Sequence, residues 1–182
     1  IGHSAVSVSS VAVELAVKIF GDLEGTRVLL VGAGKMSELA AENILKSGAS
    51  QIRVSNRTKE KAEAVAKVFQ GQVAPFSDLE NTLVDSDIVI VSTGADHHVL
   101  TPEMMEQVVR RRKYAPLFVI DISVPRNVDP RVNEIENIFN YDIDDLQAVI
   151  TANLEERQQE AGTAEEIISQ EVLNFLRGWR KP

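Results

Sequence analysis

The segment RVLLVGAGKMS, residues 27–37, contains the pattern from which we predict the fold of this chain. An apolar run over residues 28–31 ends abruptly at Gly32-Ala33-Gly34, and a helical pattern follows over residues 35–46. A strand, a glycine turn and a helix in this order bring backbone N–H groups and the positive end of a helix dipole to one point. The stretch therefore predicts a cradle for a phosphate group.

The same stretch fits the dinucleotide-binding fingerprint G-x-G-x-x-G, with Gly32, Gly34 and Ser37 in the three fingerprint positions. The third position packs against the strand and needs little bulk, and serine is only slightly larger than the alanine that is tolerated there. The alternative is an ordinary tight turn, but the place between an apolar strand and a helix favours a dinucleotide site. The cofactor-binding candidates in this turn are Gly32, Ala33, Gly34, Lys35, Met36 and Ser37.

The composition is that of an ordinary soluble globular protein. The chain has 182 residues, of which 44% are hydrophobic and 25% are charged, which suits one α/β domain with an additional element. The net charge of -8 argues against a broad nucleic-acid surface. The sequence contains no cysteine, which excludes disulfides, thiolate metal sites and a thiol nucleophile within it. We find no membrane span and no signal peptide in the sequence.

Strand patterns alternate with helix patterns along most of the chain, which predicts a parallel sheet with helices on both faces. The predicted strands cover residues 28–31, 51–55, 73–76, 87–92, 117–122 and 138–141, and the predicted helices cover residues 4–20, 35–46, 58–69, 77–84 and 101–112. The expected fold class is α/β, a doubly wound Rossmann-like parallel sheet with a flanking N-terminal helix and a long C-terminal helix. Ligands of such sheets bind at the carboxyl ends of the strands.

The predicted organisation has three parts. Residues 1–22 form an N-terminal helix that packs on the domain, residues 23–143 form the dinucleotide-binding domain, and residues 144–182 begin a long helix. The long helix either packs on the sheet or leads to another domain or a dimer partner. The second interpretation is favoured because residues 155–160, EERQQE, are polar on all sides, as suits a helix that crosses solvent.

The turn after the second strand predicts which dinucleotide is bound. NAD sites usually place an acid about 20 residues beyond the glycines, where it binds the ribose 2′-hydroxyl. This chain has no acid there, and its strand is followed by Asn56, Arg57 and Thr58. Arginine offers a charge-assisted contact to a 2′-phosphate, with further charge available from Lys59 or Lys61. We therefore expect NADP(H) rather than NAD(H), although the three residues could also be a simple turn in which Thr58 caps the next helix.

Two further turns lie at the same predicted edge. Thr93, Gly94 and Ala95 follow the fourth strand, and small residues there let the backbone pass close to the nicotinamide half of the cofactor, although a plain loop is equally compatible. The fifth strand ends in residues 121–126, DISVPR. Asp121 there is a candidate to orient a hydroxyl, an amide or Arg126, and a structural Asp–Arg pair is the alternative.

No catalytic constellation is evident in the sequence. His97 and His98 follow Gly94 and lack a third ligand at a spacing that would suit a metal, so we predict no metal site. No Ser/His/Asp arrangement and no pair of carboxylates stands out, so we predict no catalytic residue. The basic run RRRK at residues 110–113 is interpreted as a solvated helix end, which is favoured over an anion site.

Six segments together resemble the glutamyl-tRNA reductases and occur in the order of that family. They are SVSSVAVELA (residues 7–16), VGAGKM (31–36), NRT (56–58), DISVPRNVDP (121–130), YDIDDL (141–146) and NLEERQQEA (153–161). The GAG and NRT segments are shared with shikimate dehydrogenases, whereas the others are more specific. The resemblance covers the NADPH-binding middle domain of that family and the start of its long linking helix.

The resemblance implies reduction of glutamyl-tRNA to glutamate-1-semialdehyde with NADPH, in tetrapyrrole biosynthesis. It implies an N-terminal domain that binds glutamyl-tRNA and carries a cysteine nucleophile, and a C-terminal domain that forms a homodimer. Both would lie outside this sequence, which starts at Ile1 and contains no cysteine, so this piece is expected to bind cofactor without turnover. The implied setting is cytoplasmic, or plastid or cyanobacterial, with no membrane, and the downstream glutamate-1-semialdehyde aminomutase is a further candidate partner.

Two other functions stay open at this point. One is a shikimate-dehydrogenase-like NADP oxidoreductase domain, which would need its own substrate domain. The other is a non-enzymatic dinucleotide-binding interaction module, for which the acidic long helix would provide the partner surface.

Overall fold

A parallel sheet with a helix in almost every crossover forms the greater part of the molecule. A computed structural model describes residues 2–179, and the side chains of residues 8–174. The elements in chain order are α1 (Gly2–Phe20), β1 (Arg27–Gly32), α2 (Lys35–Lys46), β2 (Gln51–Ser55), α3 (Lys59–Val68), β3 (Gln72–Val73), α4 (Leu79–Val84), β4 (Ile88–Ser92), α5 (Pro102–Arg111), β5 (Leu117–Asp121), β6 (Ile138–Asp142) and α6 (Ile143–Trp179). Short 3₁₀ helices cover Phe76–Asp78 and Pro130–Glu134.

The sheet has the strand order β3-β2-β1-β4-β5-β6, and every neighbouring pair is parallel. The order reverses beside β1, where Val28 pairs with Ile52 of β2 on one side and with Ile88 of β4 on the other. Such a reversal opens a crevice at the carboxyl ends of the two central strands. The expected doubly wound Rossmann-like sheet is confirmed, and so is the long C-terminal helix.

The central strands are buried on both faces, which explains why they read as unbroken apolar runs. Leu29, Leu30, Val89 and Ile90 are completely buried, although they point alternately to opposite faces of the sheet. A strand that helices cover on both faces has no solvent-exposed face on which polar side chains would be favoured. The apolar run of residues 28–31 therefore predicts a central strand.

The third predicted strand has different bounds in the structure. The third strand was expected over residues 73–76, but β3 comprises only Gln72–Val73, and Phe76–Asp78 forms a 3₁₀ helix. Pro75 ends the extended segment because it cannot donate an N–H group to the ladder. The start of α5 follows the expectation, with Pro102 in its first turn and the Thr101 hydroxyl accepting from Met104 N at 3.4 Å.

The chain divides into two compact units, one ending at Leu146 and the other beginning at Gln147. The second unit is the continuation of α6. Large apolar side chains on this part of the helix are more than half exposed, namely Leu154, Ile167, Ile168, Val172 and Leu173. Among the described residues, none of the helices combines the length and the apolar character that a membrane crossing requires.

A buried charge network holds the amino ends of the central strands. Arg112, at the end of α5, is 8% exposed and donates to the backbone carbonyls of Val84, Ser86 and Pro116. It also donates to Asp87 at 3.2 Å, which Arg27 contacts at 3.2 Å from the other side. The prediction that residues 110–113 are simply a solvated helix end is therefore wrong for Arg112.

The pKa of Asp87 reflects this position. Burial alone would raise the pKa, but hydrogen bonds from the side chain and backbone of Arg27 and from Arg112 outweigh it and hold the pKa below its usual value. A carboxylate whose pKa is lowered by folding stabilises the folded state above the unfolded-state pKa, and that stabilisation is lost as the pH falls through the lower, folded-state pKa.

Candidate functional site

A cavity of about 700 Å³ opens at the carboxyl edge of the sheet, where the strand order reverses. It is bounded by the turns after β1, β2 and β4 and by the facing side of α3. The lining residues are Gly32, Ala33, Gly34, Asn56, Arg57, Thr58, Lys61, Ala64, Val65, Phe76, Ser92, Thr93, Gly94 and Ala95. Crevices at this point of a doubly wound sheet are where dinucleotides bind.

The cavity brings together nine of the twelve cofactor-binding candidates from the sequence. The other three, Lys35, Met36 and Ser37, form the first turn of α2 and are not part of the lining. Ser37 is completely buried, and its hydroxyl donates to the Gly34 carbonyl at 2.6 Å. Serine is therefore accommodated at the third fingerprint position by a hydrogen bond within the turn.

Gly32 shows why the turn requires glycine. Its φ angle is +107°, in a region that residues with a side chain rarely adopt, and a Cβ atom there would lie 1.8 Å from the Ser92 carbonyl oxygen. Ser92 is its partner across the β1–β4 ladder, so the obstacle is backbone that cannot move aside. The first glycine therefore lets β1 and β4 stay in register while the chain turns into α2.

The start of α2 has no side chain that caps it. Gly34 occupies the N-cap position with an extended conformation, and no side chain accepts a hydrogen bond from the first turn. The first N–H groups of a helix have no partner within the helix and carry partial positive charge. The cradle therefore fits an anion such as a pyrophosphate.

The turn after β2 presents a positive charge to the cavity. The Asn56 side chain accepts from Thr58 N at 3.0 Å, which fixes the turn, and both Arg57 and Lys61 line the cavity. Arg57 Nη2 lies 3.4 Å from His97 Nε2. No aspartate or glutamate is among the described residues that line the cavity. Lys59, the other predicted source of charge, instead lies 3.6 Å from Glu63.

The sequence interpretation missed Asn127, which holds the loop after β4. Asn127 is completely buried and contacts Thr93, Ala95 and His97 through its side chain. Nothing in the local pattern indicates this role, because the contacts join positions 30 to 34 residues apart. Only the expectation that the turns after β4 and β5 lie side by side could have indicated a contact between Asn127 and the loop after β4.

Asp121 does orient its neighbours, but not Arg126. Its carboxylate accepts from three backbone N–H groups, those of Ser123, Asn127 and Val128, at 3.0, 2.8 and 2.8 Å. The alternative of an Asp121–Arg126 pair is wrong, because Arg126 contacts Asp142 at 2.8 Å and Asp144 at 3.1 Å. Asp121 is therefore a structural anchor of the loop after β5.

The two histidines of the β4 loop have different partners. His98 Nδ1 lies 3.3 Å from Asp129, whose pKa is lowered to about 2 by hydrogen bonds from the side chain and backbone of Arg131. His97 Nδ1 lies 3.1 Å from Asp96, so one tautomer with its proton on Nδ1 satisfies both contacts of His97. Among the residues that the structure describes, no three potential metal ligands cluster.

The family model described as shikimate / quinate 5-dehydrogenase matches residues 14–149. Curated relatives include the glutamyl-tRNA reductase of Geobacter sulfurreducens, 51% identical over 97% of this chain and 41% of its own length, and that of Priestia megaterium, 50% identical over 96% of this chain and 39% of its own length. The chain thus spans about two fifths of the length of these relatives.

A solved structure agrees with the sequence relatives. The glutamyl-tRNA reductase of Methanopyrus kandleri superposes with a TM-score of 0.79 at 34% identity, over 94% of this chain and 43% of that one. The fold and the relatives together indicate a dinucleotide as the cofactor. The chain therefore belongs to the shikimate/quinate 5-dehydrogenase family of the matching model, and the relatives that it matches over almost its whole length are glutamyl-tRNA reductases.

Proposed function

We propose that the cavity binds NADPH and that the chain is the NADPH-binding part of a glutamyl-tRNA reductase. The observation that carries the proposal is the lining of the cavity, in which a glycine cradle faces a turn with Arg57 and without a carboxylate. A carboxylate would repel a 2′-phosphate, whereas a guanidinium attracts it. The name of the relatives supports the choice of reaction.

Each part of the cavity suits one part of the cofactor. The turn at residues 32–34 and the uncapped start of α2, residues 35–37, suit the pyrophosphate, since both offer backbone N–H groups. Residues 56–58 and Lys61 suit the 2′-phosphate, and residues 93–95 suit the nicotinamide ribose. When bound, NADPH supplies the hydride that reduces an acyl group to an aldehyde.

The residues of this chain bind and orient the cofactor, and the other groups of the reaction belong elsewhere in the protein. The sequence has no cysteine, so the thiolate that attacks the glutamyl ester and releases tRNA would be outside it. Hydride transfer requires the donor and the acyl carbon to be aligned at close range. The mouth of the cavity would therefore have to close against the part of the protein that carries the thiolate.

The proposed partners follow from the same assignment. Glutamyl-tRNA would be bound through the catalytic part. A homodimer would form through the C-terminal part, and the dimer interface would extend onto the exposed apolar side chains of α6. A contact with glutamate-1-semialdehyde aminomutase would hand over the aldehyde product. The proposed location is the cytoplasm, or the plastid of a photosynthetic eukaryote.

Binding of the two dinucleotides tests the cofactor assignment. We expect NADPH to bind more tightly than NADH. We expect Arg57→Ala to weaken NADPH binding by about ten- to a hundredfold, because a hydrogen bond to a charged group contributes about 1.5–3 kcal/mol. NADH has no 2′-phosphate, so its dissociation constant should stay unchanged. Isothermal titration calorimetry measures all four constants.

Lys59→Ala is the matched control for Arg57→Ala, since Lys59 belongs to the same segment but lies outside the cavity lining and next to Glu63. We expect Lys59→Ala to change the dissociation constants of NADPH and NADH by no more than about twofold, because exposed ion pairs contribute little. Equal binding of NADH and NADPH to the unmodified chain, or equal weakening of both by Arg57→Ala, would contradict the assignment.

Turnover distinguishes the proposed enzyme from its nearest alternative. We expect the present chain to bind NADPH without oxidising it when glutamyl-tRNA is added, and the full-length protein to oxidise it. Absorbance at the reduced-nicotinamide band follows the reaction. The match to the shikimate/quinate model favours a second candidate, a shikimate-type dehydrogenase. Reduction of NADP with shikimate or quinate by the full-length protein would support that candidate and overturn the first.

A further inference from the structure

The loop after β4 is held by one buried side chain from the loop after β5. Asn127 has no exposed surface, and its Oδ1 accepts a hydrogen bond from the Thr93 hydroxyl at 2.5 Å. Its Nδ2 donates to the carbonyls of Ala95 and His97 at 3.0 and 3.2 Å. Three hydrogen bonds from one amide therefore fix the first five residues of this loop.

The backbone of Asn127 extends the same contact. Its carbonyl oxygen accepts from Val99 N at 2.6 Å and from Leu100 N at 3.1 Å. Its own N–H donates to Asp121 at 2.8 Å, and Asp121 is the last residue of β5. The loop after β4 is thus tied to the end of a core strand through Asn127.

Thr93 is the point at which this arrangement reaches the cavity. Its hydroxyl has a single proton, which is donated to Asn127, and its oxygen accepts from Ala95 N at 3.1 Å. Its backbone N–H donates to the Ser123 hydroxyl at 3.3 Å. Thr93 and Ala95 line the cavity and Asn127 does not, so Asn127 can affect a ligand only through the loop.

We propose that Asn127 is a positioning residue for the nicotinamide half of the cofactor site, which it sets by fixing the conformation of residues 93–95. The inference rests on the proposed function, namely that this cavity binds NADPH. In the proposed assignment the adenosine half of the site is formed by other residues of the lining, those of the turn after β2. Loss of the Asn127 contacts should therefore affect the two halves of the cofactor unequally.

The test compares NADPH with 2′,5′-ADP, which has the 2′-phosphate and adenosine but no nicotinamide. Thr93→Val keeps the shape of the side chain and removes the hydroxyl that contacts Asn127, and Asn127→Ala removes the amide. For both variants we expect NADPH to bind about tenfold more weakly and 2′,5′-ADP to bind within about twofold of the unmodified chain. Thr93→Ser keeps the hydroxyl that donates to Asn127 and should therefore bind NADPH more tightly than Thr93→Val does.

Thr82→Val is the matched control. Thr82 is also buried and also donates a hydrogen bond, to the Asp78 carbonyl at 3.0 Å, but it lies on α4, away from the cavity lining. Loss of the Thr82 hydroxyl should lower the melting temperature and leave the ratio of the NADPH and 2′,5′-ADP dissociation constants unchanged. That ratio separates a positioning role from a merely structural one.

Each outcome decides something. If Asn127→Ala weakens both ligands equally, or neither, the positioning role of Asn127 is overturned while the NADPH assignment stands, even where Thr93→Val weakens NADPH, because Thr93 itself lines the cavity. If the unmodified chain binds 2′,5′-ADP but not NADPH, or neither ligand, the proposed function itself fails, and the positioning role fails with it. If Asn127→Ala does not fold, Asn127→Asp gives the comparison in its place, because it keeps an oxygen acceptor for the Thr93 hydroxyl and removes the amide donor to the Ala95 and His97 carbonyls.

Discussion

Replacing Gly32 by alanine is expected to lower the free energy of unfolding by about 3 kcal/mol or more and to abolish NADPH binding. The backbone at Gly32 has a φ angle of +107°, which alanine rarely adopts. The added Cβ would also lie 1.8 Å from the carbonyl oxygen and 2.5 Å from the carbonyl carbon of Ser92. Relief of this overlap would require β1 and β4 to separate at the mouth of the cavity.

Chemical denaturation measures the stability of the Gly32→Ala variant, and calorimetry measures its binding. Gly94→Ala is the control for stability, because Gly94 lies on the same edge, has an ordinary φ angle and has no atom within 4 Å of an added Cβ. We expect the control to unfold within about 0.5 kcal/mol of the unmodified chain. Unchanged stability of Gly32→Ala would contradict the described geometry of the turn.

The sheet could be predicted from the sequence because its determinants are local. The apolar run at residues 28–31 fits a strand buried on both faces, and the first glycine that follows it, Gly32, fits a turn with positive φ. The position of Pro102 correctly marks the start of α5. The third strand was misjudged because residues 72–76 are too short and too mixed in character for a pattern to settle where pairing stops.

The cavity lining was largely predictable for a different reason. Carboxyl ends of parallel strands share one edge, so the turns after β1, β2 and β4 had to meet there once the fold was assumed. The partners of Asp121 and Arg126 were not predictable. Whether Asp121 would contact Arg126 or backbone N–H groups depends on the path of a six-residue loop, and the sequence does not specify that path.

Arg112 is a further residue whose role the sequence pattern concealed, and its replacement is expected to have the largest effect on stability outside the cavity. We expect Arg112→Met to lower the free energy of unfolding by about 3–5 kcal/mol, the usual cost of removing one member of a buried ion pair. Methionine fills a similar volume but leaves the carbonyls of Val84, Ser86 and Pro116 without their donor and removes one partner of Asp87.

Arg111→Met is the matched control, since it makes the same change one residue earlier. Arg111 contacts Glu80 at 3.3 Å, but both side chains are nearly half exposed, so its loss should cost less than about 1 kcal/mol. Arg112 binds the amino ends of the strands, at the edge of the sheet opposite the cavity, so folded Arg112→Met should retain the NADPH affinity of the unmodified chain. Equal denaturation midpoints for the two variants would show that the Arg112 guanidinium does not hold this edge. If Arg112→Met is fully folded and still loses NADPH affinity, the two edges of the sheet are coupled.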